Sequence, residues 1–265
     1  MSGVDLHAGL GIPGDRLQAA AGGSGGAGVT WENGRERYAV YYAPGRGTTL
    51  WRMGCRWLGR DAEGGPVPPR PAVAGFDDAA LDAVTAAPRR YGFHATLKPP
   101  FALAAGRTPA ELEGALAQFC RDRRPVRLPP LKVAVVEDFL ALIPAGPCEE
   151  VSRLAADCVR AFDGFRAPPS PEEMARRRAA GLTPRQDELL SAWGYPFVMD
   201  AFRLHLTLTD RLPGGTRKRL EPVLADLFRD ALAEPAVIDG LSLFHESVPG
   251  QPCDLVRRIA LAGAA

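Results

Sequence analysis

The chain alternates between short runs of β-favouring residues and stretches whose apolar residues recur at helical spacing. These runs predict strands at 37–42, 91–98, 131–136, 139–143, 199–208, 237–248 and 255–261. Helices are predicted from Asp77 to about Ala87, where Pro88 would end the helix, and from Thr108, about Glu149 and about Thr216. The helix from Thr108 has the clearest signal, because Thr108-Pro-Ala-Glu111 is a capping box with proline at the first helical position.

The same order of elements occurs twice. A strand that contains His-x-Thr is followed by a helix and then by strand-like segments, first after His94 and again after His205. We therefore expect an α+β protein with a duplicated, bilobal fold, in which two antiparallel sheets face each other across a central cleft and the helices lie outside. The expected divisions are a flexible Gly-rich tail at 1–36, a first lobe at 37–147, and a second lobe at 148–265 with a helical insertion at 168–196. A solvated helical pair is the preferred interpretation of the insertion, and a cap over the cleft is the alternative.

His94-Ala-Thr96 and His205-Leu-Thr207 are the motif around which the rest of the chain is arranged. Side chains alternate between the two faces of a strand, so each histidine shares a face with the threonine two residues later. One His-x-Thr has little meaning, but two copies in matching contexts are fairly specific. Two lobes that face each other would bring both imidazole-hydroxyl pairs into one cleft.

Composition limits the classes of partner. With 32 basic and 31 acidic residues the net charge is +1, so the chain lacks the basic character typical of proteins that bind duplex nucleic acid. The five cysteines are odd in number and form no Cys-x-x-Cys, which favours reduced thiols in a cytoplasmic protein without a structural zinc site. There is no signal-peptide pattern, and no apolar run is long enough to span a membrane. The sequence does not indicate an oligomeric state.

Two histidines across a cleft suit an in-line displacement at phosphorus. A neutral imidazole can take a proton from water while a protonated one gives a proton to the leaving oxygen, and histidine's unperturbed pKa of about 6.5 allows both forms near neutral pH. The threonine hydroxyls can donate hydrogen bonds to the non-bridging phosphate oxygens. This chemistry requires no metal and no other cofactor.

With these residues in place, the chain resembles the two-histidine (2H) phosphoesterase superfamily, which includes 2′,5′-RNA ligase-like proteins and cyclic nucleotide phosphodiesterases. The resemblance covers about residues 38–262 and includes the closing hairpin with Leu241-Ser-Leu-Phe-His245. Tyr38-Ala-Val-Tyr-Tyr-Ala-Pro44, Trp57-Leu-Gly-Arg-Asp61 and the stretch 91–100 further resemble a branch found beside bacterial phosphonate-degradation genes. The resemblance implies a phosphodiesterase that opens a small cyclic phosphodiester, either a 2′,3′-cyclic or a ribosyl 1,2-cyclic phosphate.

The resemblance also implies roles for the motif residues. His94 and His205 would be the acid and the base, in an order that the sequence does not reveal, and Thr96 and Thr207 would contact the phosphate. His245 has no threonine two residues later, and we interpret it as structural.

Three further residues are candidates for substrate contact by position. Lys98 shares a strand face with Thr96 by period-two counting, and Arg211 lies four residues beyond Thr207. Either cation could touch a phosphate or face solvent. Tyr91, just before the first motif, could stack on a base or sugar, although ordinary packing is the preferred interpretation.

Two other functions stay open. Ligation of RNA ends, or hydrolysis of a 2′,5′ linkage, would need a basic groove of RNA size and would make short RNA a partner in addition to a small phosphodiester or nucleotide. A non-catalytic module could bind nucleotides or phosphate esters in the same cleft. A zinc hydrolase is disfavoured, because each His-x-Thr strand offers one ligand and no Cys or carboxylate cluster accompanies it.

Overall fold

The computed structural model describes residues 35–263. Its strands are β1 (Arg37–Tyr42), β2 (Ala95–Phe101), β3 (Val126–Arg127), β4 (Leu131–Val136), β5 (Phe139–Pro144), β6 (Leu206–Thr207), β7 (Val237–Ile238), β8 (Gly240–Glu246) and β9 (Asp254–Ala260). Its helices are α1 (Thr49–Leu58), α2 (Asp78–Val84), α3 (Ala86–Tyr91), α4 (Pro109–Arg121), α5 (Glu149–Ala161), α6 (Pro171–Arg178), α7 (Pro184–Trp193), α8 (Gly214–Leu227) and α9 (Arg229–Ala233). The predicted tail at 1–36 lies almost wholly outside the described residues.

The strands form antiparallel sheets, as predicted for the α+β class. One sheet has the order β2-β1-β8-β9, another β4-β5-β6, and β3 pairs with β7. The first two sheets each combine strands from both sides of the predicted boundary between 37–147 and 148–265. The hydrogen-bonded layers therefore do not coincide with the predicted lobes, because the first and last long strands of the described chain, β1 and β8-β9, share a sheet.

Several local predictions are confirmed. The Thr108 capping box opens α4, and the strands predicted at 131–136 and 139–143 are β4 and β5, which pair as a hairpin around Glu137 and Asp138. The closing hairpin is β8-β9, and the insertion contains the helical pair α6 and α7. Helix α6 has no buried residue, which fits the solvated interpretation. All five cysteines lie in the described part of the chain and are free thiols.

Other local predictions are wrong. The segment 199–208 is not one strand but a 3₁₀ turn, Met199–Ala201, followed by the two-residue β6. Strand β2 does not stop at Pro99 and Pro100, because it lies at a sheet edge, where a missing N–H is tolerated. Pro88 does not end a helix either, since it lies in the first turn of α3.

Helix α1, which was not among the predicted helices, packs against the residue that precedes the first motif. A Cβ atom on Gly54 would lie 2.2 Å from Cδ1 of Phe93, so the absence of a side chain lets the helix approach this ring. Phe93 is fully buried and directly precedes His94. The next turn of α1 carries Trp57, whose indole N–H donates to the carbonyl of Leu208 at 2.7 Å. One helix therefore contacts the segments of both motifs.

Across residues 35–263, no helix combines the length and the apolar character that a bilayer crossing needs.

Gly54→Ala should destabilise the protein, although alanine normally favours a helix. The new methyl group must displace a fully buried phenyl ring, which we expect to lower the free energy of unfolding by about 1 to 3 kcal/mol. Gly114→Ala in α4 is the matched control, because a Cβ there meets nothing within 4 Å. That variant should gain up to about 1 kcal/mol from helix propensity. Urea denaturation measures the free energy of unfolding of both variants. A change of the same sign in the two would contradict the packing argument.

Candidate functional site

His94 is the residue immediately before β2, and its ring is held by a hydrogen bond and by an aromatic stack. Its Nδ1 is 2.9 Å from the carbonyl oxygen of Gly92, and since a carbonyl only accepts, Nδ1 carries the proton in the neutral ring. The ring stacks on Tyr41 of β1, with centroids 3.8 Å apart and planes 17° apart. Nε2 is 3.3 Å from the hydroxyl of Thr96. The side chain is 8% exposed.

His205 is fixed in the same way. It lies in the residue before β6, and its Nδ1 is 2.9 Å from the carbonyl oxygen of Arg203, again two residues earlier in the chain. Its ring centroid is 5.8 Å from that of Phe139 in β5. In both motifs, Nδ1 of the imidazole therefore contacts the backbone carbonyl two residues earlier. The other ring nitrogen, Nε2, points away from that carbonyl.

A small cavity brings the two motifs together. Its wall includes Tyr91, His94, Phe139, Thr207, Asp210 and Arg211. The cavity volume is about 20 Å³, which is room for about one water molecule. The first motif contributes His94 to this wall and the second contributes Thr207, whereas His205 and Thr96 do not line it. His205 is the neighbour of a lining residue, since its ring lies 5.8 Å from that of Phe139.

Asp210 ties the second motif to the helix that leads into the first. Thr85 does not cap α3 with its side chain. Instead, the carboxylate of Asp210 accepts the N–H of Ala87 at 2.9 Å, and the N–H of Asp210 donates to the carbonyl of Val84 at 2.8 Å. A carboxylate at a helix N-terminus satisfies an otherwise unpaired N–H and interacts favourably with the helix dipole. The end of α3 then leads directly to Gly92 and His94.

Arg211 and Tyr91 line the cavity but are also engaged in protein contacts. The Arg211 guanidinium donates to Glu137 at 3.0 Å and to Asp138 at 3.4 Å, so the carboxylates of the β4-β5 turn hold it. Tyr91 is buried, and the Arg90 guanidinium lies 4.4 Å from its ring centroid. Burial raises the pKa of the Tyr91 hydroxyl. These contacts fit the packing interpretation of Tyr91.

Lys98 is not where period-two counting put it. Tyr41 pairs with Thr96, but the preceding residue, Val40, pairs with Lys98, so one extra residue of β2 forms a bulge between them. A bulge reverses the alternation of side chains beyond it. The Lys98 amine consequently lies against α5, 3.1 Å from the carbonyl oxygen of Val159 and 3.4 Å from Asp163. It does not line the cavity beside His94.

A family model described as a protein of unknown function (DUF1045) matches residues 96–254, more than half of the chain. The chain belongs to the DUF1045 family. Two relatives named ribose 1,5-bisphosphate phosphokinase PhnN resemble it. The one from Janthinobacterium sp. (strain Marseille) is 38% identical over 238 residues, 86% of this chain and 51% of the relative. The one from Laribacter hongkongensis (strain HLHK9) is 37% identical over 227 residues, 85% of this chain and 52% of the relative. The chain thus spans about half the length of these relatives.

Among solved structures, E. coli LigT complexed with 3′-AMP is a distant likeness of this DUF1045 protein. The alignment covers 86% of this chain and 98% of LigT, with 15% identity and a TM-score of 0.39.

Three residues that position the site of this DUF1045 protein were not predicted from its sequence. Tyr41 carries the stacked His94 ring, and its hydroxyl is buried without a hydrogen-bond partner among the described residues. Gly92 supplies the carbonyl that holds His94, at φ 77° and ψ 175°, a conformation essentially restricted to glycine. Asp210 caps α3 from a distance. Only Gly92 had a local signal, since a glycine two residues before a motif histidine indicates a special backbone conformation.

Between residues 35 and 263, no group of three or more His, Cys, Asp or Glu side chains is arranged to hold a metal ion.

Gly92→Ala should release His94 from its backbone partner. The substitution forces a positive φ on alanine and brings its Cβ within 2.6 Å of Ala62, at a cost of about 1 to 3 kcal/mol. Nitrogen-15 NMR of the imidazoles should show the Nδ1–H tautomer for both neutral motif histidines in the wild type, and its loss for His94 alone in the variant. Gly106→Ala is the control, because it imposes similar strain at φ 80° in a position with open space. An unchanged His94 tautomer in Gly92→Ala would disprove the role of this carbonyl.

Lys98 should make stability depend on pH. Burial lowers its pKa to about 8 from 10.5, against the opposing attraction of Asp163. Below about pH 8 both the folded and unfolded chains keep the proton. Between about pH 8 and 10.5 only the unfolded chain keeps it, so the unfolded chain binds more protons and stability rises with pH in this window.

The measurement compares the wild type with Lys98→Met by urea denaturation on both sides of that window. The stability of the wild type relative to the variant should increase by about 3 kcal/mol as pH rises through it. Lys132→Met, at an exposed position of β4, should show no such change. A flat difference for Lys98→Met would mean that the amine keeps an ordinary pKa.

Proposed function

We propose that this chain is a metal-independent phosphodiesterase that opens a small cyclic phosphodiester, with His94 and His205 as general acid and base. The observation that supports this most is the meeting of the two motifs. His94 and Thr207, more than a hundred residues apart, line one cavity, and each motif histidine is oriented by the same Nδ1-to-carbonyl contact. A single copy would be an ordinary buried histidine, whereas two motifs that meet at one cavity, each with its imidazole oriented in the same way, suit proton transfer on opposite sides of a phosphorus.

The proposed reaction is an in-line attack of water on phosphorus. The neutral imidazole takes a proton from water as the new P–O bond forms, and the protonated imidazole gives a proton to the ring oxygen as the old P–O bond breaks. The product is a phosphate monoester beside a free hydroxyl group. Thr96 and Thr207 would donate to the non-bridging oxygens, and Arg211 would add a positive charge.

The proposed substrates are 2′,3′-cyclic and ribosyl 1,2-cyclic phosphates. The names of the two relatives concern a phosphorylated ribose, which is compatible with the second class. Those names also describe a kinase. The chain contains no Gly-Lys dipeptide and so no P-loop of the GxxxxGK[ST] kind, which supports assigning the kinase activity to the part of the relatives that this chain does not match.

His94→Ala and His205→Ala should each lower kcat/KM for a hydrolysed cyclic phosphate by about 10²- to 10⁴-fold, because each removes one proton-transfer group. The assay is a panel of cyclic phosphodiesters in the presence of chelator, with circular dichroism to show that the variants fold. His245→Ala is the matched control. That histidine lies on β8, is paired with Glu36 at 2.8 Å and stacks on Tyr38, so its loss should leave kcat/KM within about threefold. Full activity in either motif variant would end the two-histidine assignment.

A further inference from the structure

A second, larger cavity is rich in arginine. It has a volume of about 330 Å³ and lies between the insertion, the start of β1 and the end of β2. Five arginines line it, namely Arg35, Arg37, Arg166, Arg176 and Arg177, against Glu172 and Glu173, so its wall carries a net charge of +3. A cavity of this size fits a small organic ligand, and guanidinium groups bind phosphate in a bidentate manner.

The arginines of this cavity are close enough to influence one another. Burial lowers the pKa of Arg176 most, Glu173 opposes the change, and the like charges of Arg177 and Arg37 lower it further. Arg177 is paired with Glu173 at 2.6 Å, and Arg166 with Asp163 at 2.8 Å, yet the wall keeps its positive excess. Like charges gathered around a cavity favour the binding of an anion there.

Arg37 connects this cavity to the motif site. Arg37 and Tyr41 lie on the same face of β1, because they are four positions apart, or about 13 Å along the strand. Tyr41 is the residue on which the His94 ring stacks. Its guanidinium is paired with Glu246. The same carboxylate is paired with Arg90, whose guanidinium covers Tyr91 in the wall of the His94 cavity. The two cavities share no lining residue, but Glu246 links a guanidinium of the arginine cavity to the one that covers Tyr91 beside His94.

We propose that the arginine cavity binds a phosphate monoester group on the substrate whose cyclic phosphodiester is opened at His94 and His205. This inference rests on the proposed function and specifies its substrate class. The favoured substrates are small cyclic phosphodiesters that carry a separate terminal phosphate. The insertion then acts in recognition, because α6 contributes Arg176 and Arg177 to the cavity.

The test compares adenosine 2′,3′-cyclic phosphate with the same compound carrying a 5′-phosphate. Loss of a charged hydrogen-bonded contact is worth roughly a tenfold to hundredfold change, so the wild type should prefer the 5′-phosphorylated compound by at least that factor in kcat/KM. Arg176→Ala should remove most of the preference, and Arg176→Lys should restore part of it. Arg178→Ala is the matched control on the same helix, since Arg178 is paired with Asp187 and does not line the cavity. It should keep the full preference.

The outcomes separate this inference from the proposed function. Hydrolysis of both compounds at equal rates, with loss of activity in His94→Ala, would keep the function and overturn the phosphate site. If neither compound is hydrolysed, calorimetric titration with inorganic phosphate decides. Binding that weakens at least tenfold in Arg176→Ala and not in Arg178→Ala supports the site, and absent or unchanged binding overturns it. Phosphate that binds at the arginines without competing with turnover of the 5′-phosphorylated compound also overturns it, because the anion would then be separate from the substrate.

Discussion

Two hydrogen bonds, one buried and one partly buried, hold segments that are far apart in the sequence, and the site depends on them. The indole of Trp57 donates to the carbonyl of Leu208, and the carboxylate of Asp210 accepts the N–H of Ala87. A buried carbonyl or N–H left without a partner costs about 1 to 3 kcal/mol, so neither segment can move without a penalty. Because Leu208 lies three residues after His205 and Ala87 lies in the first turn of the helix that leads to His94, these bonds fix the two motifs relative to each other.

The bulge in β2 explains why the neighbours of the first motif differ from a regular strand. It lets Thr96 stay opposite Tyr41 on the face of the His94 ring, while Lys98 passes to the opposite face and reaches α5. The amine there has a carbonyl and a carboxylate as partners, but it is only 2% exposed, and desolvation outweighs the attraction. The bulge thus separates a motif residue from a buried structural cation two positions away.

Local sequence signals were sufficient to predict individual helices and strands but not how the strands pair into sheets. Runs of β-favouring residues predicted β4 and β5, and the Thr108 capping box predicted α4, because these signals depend on neighbours in the chain. Pairing of β1 with β8 left no local trace, since a strand buried on both faces shows only an apolar run. The bulge in β2 was equally invisible. The arginine cavity could not be predicted either, because its five arginines come from three separate parts of the chain.

The motif residues were predictable because His-x-Thr occurs twice in the sequence. The buried contacts that hold these residues in place were not predictable. A single carboxylate shows the difference. Glu246 is 1% exposed and pairs with both Arg37 and Arg90, while the N–H of Gly250 donates to it at 2.8 Å. A buried carboxylate is tolerated only when several donors compensate it, and removing it would leave two cations without their counterion. Since one of these cations lines the arginine cavity and the other lies over Tyr91 beside His94, the geometry of the two cavities depends on the same buried charge.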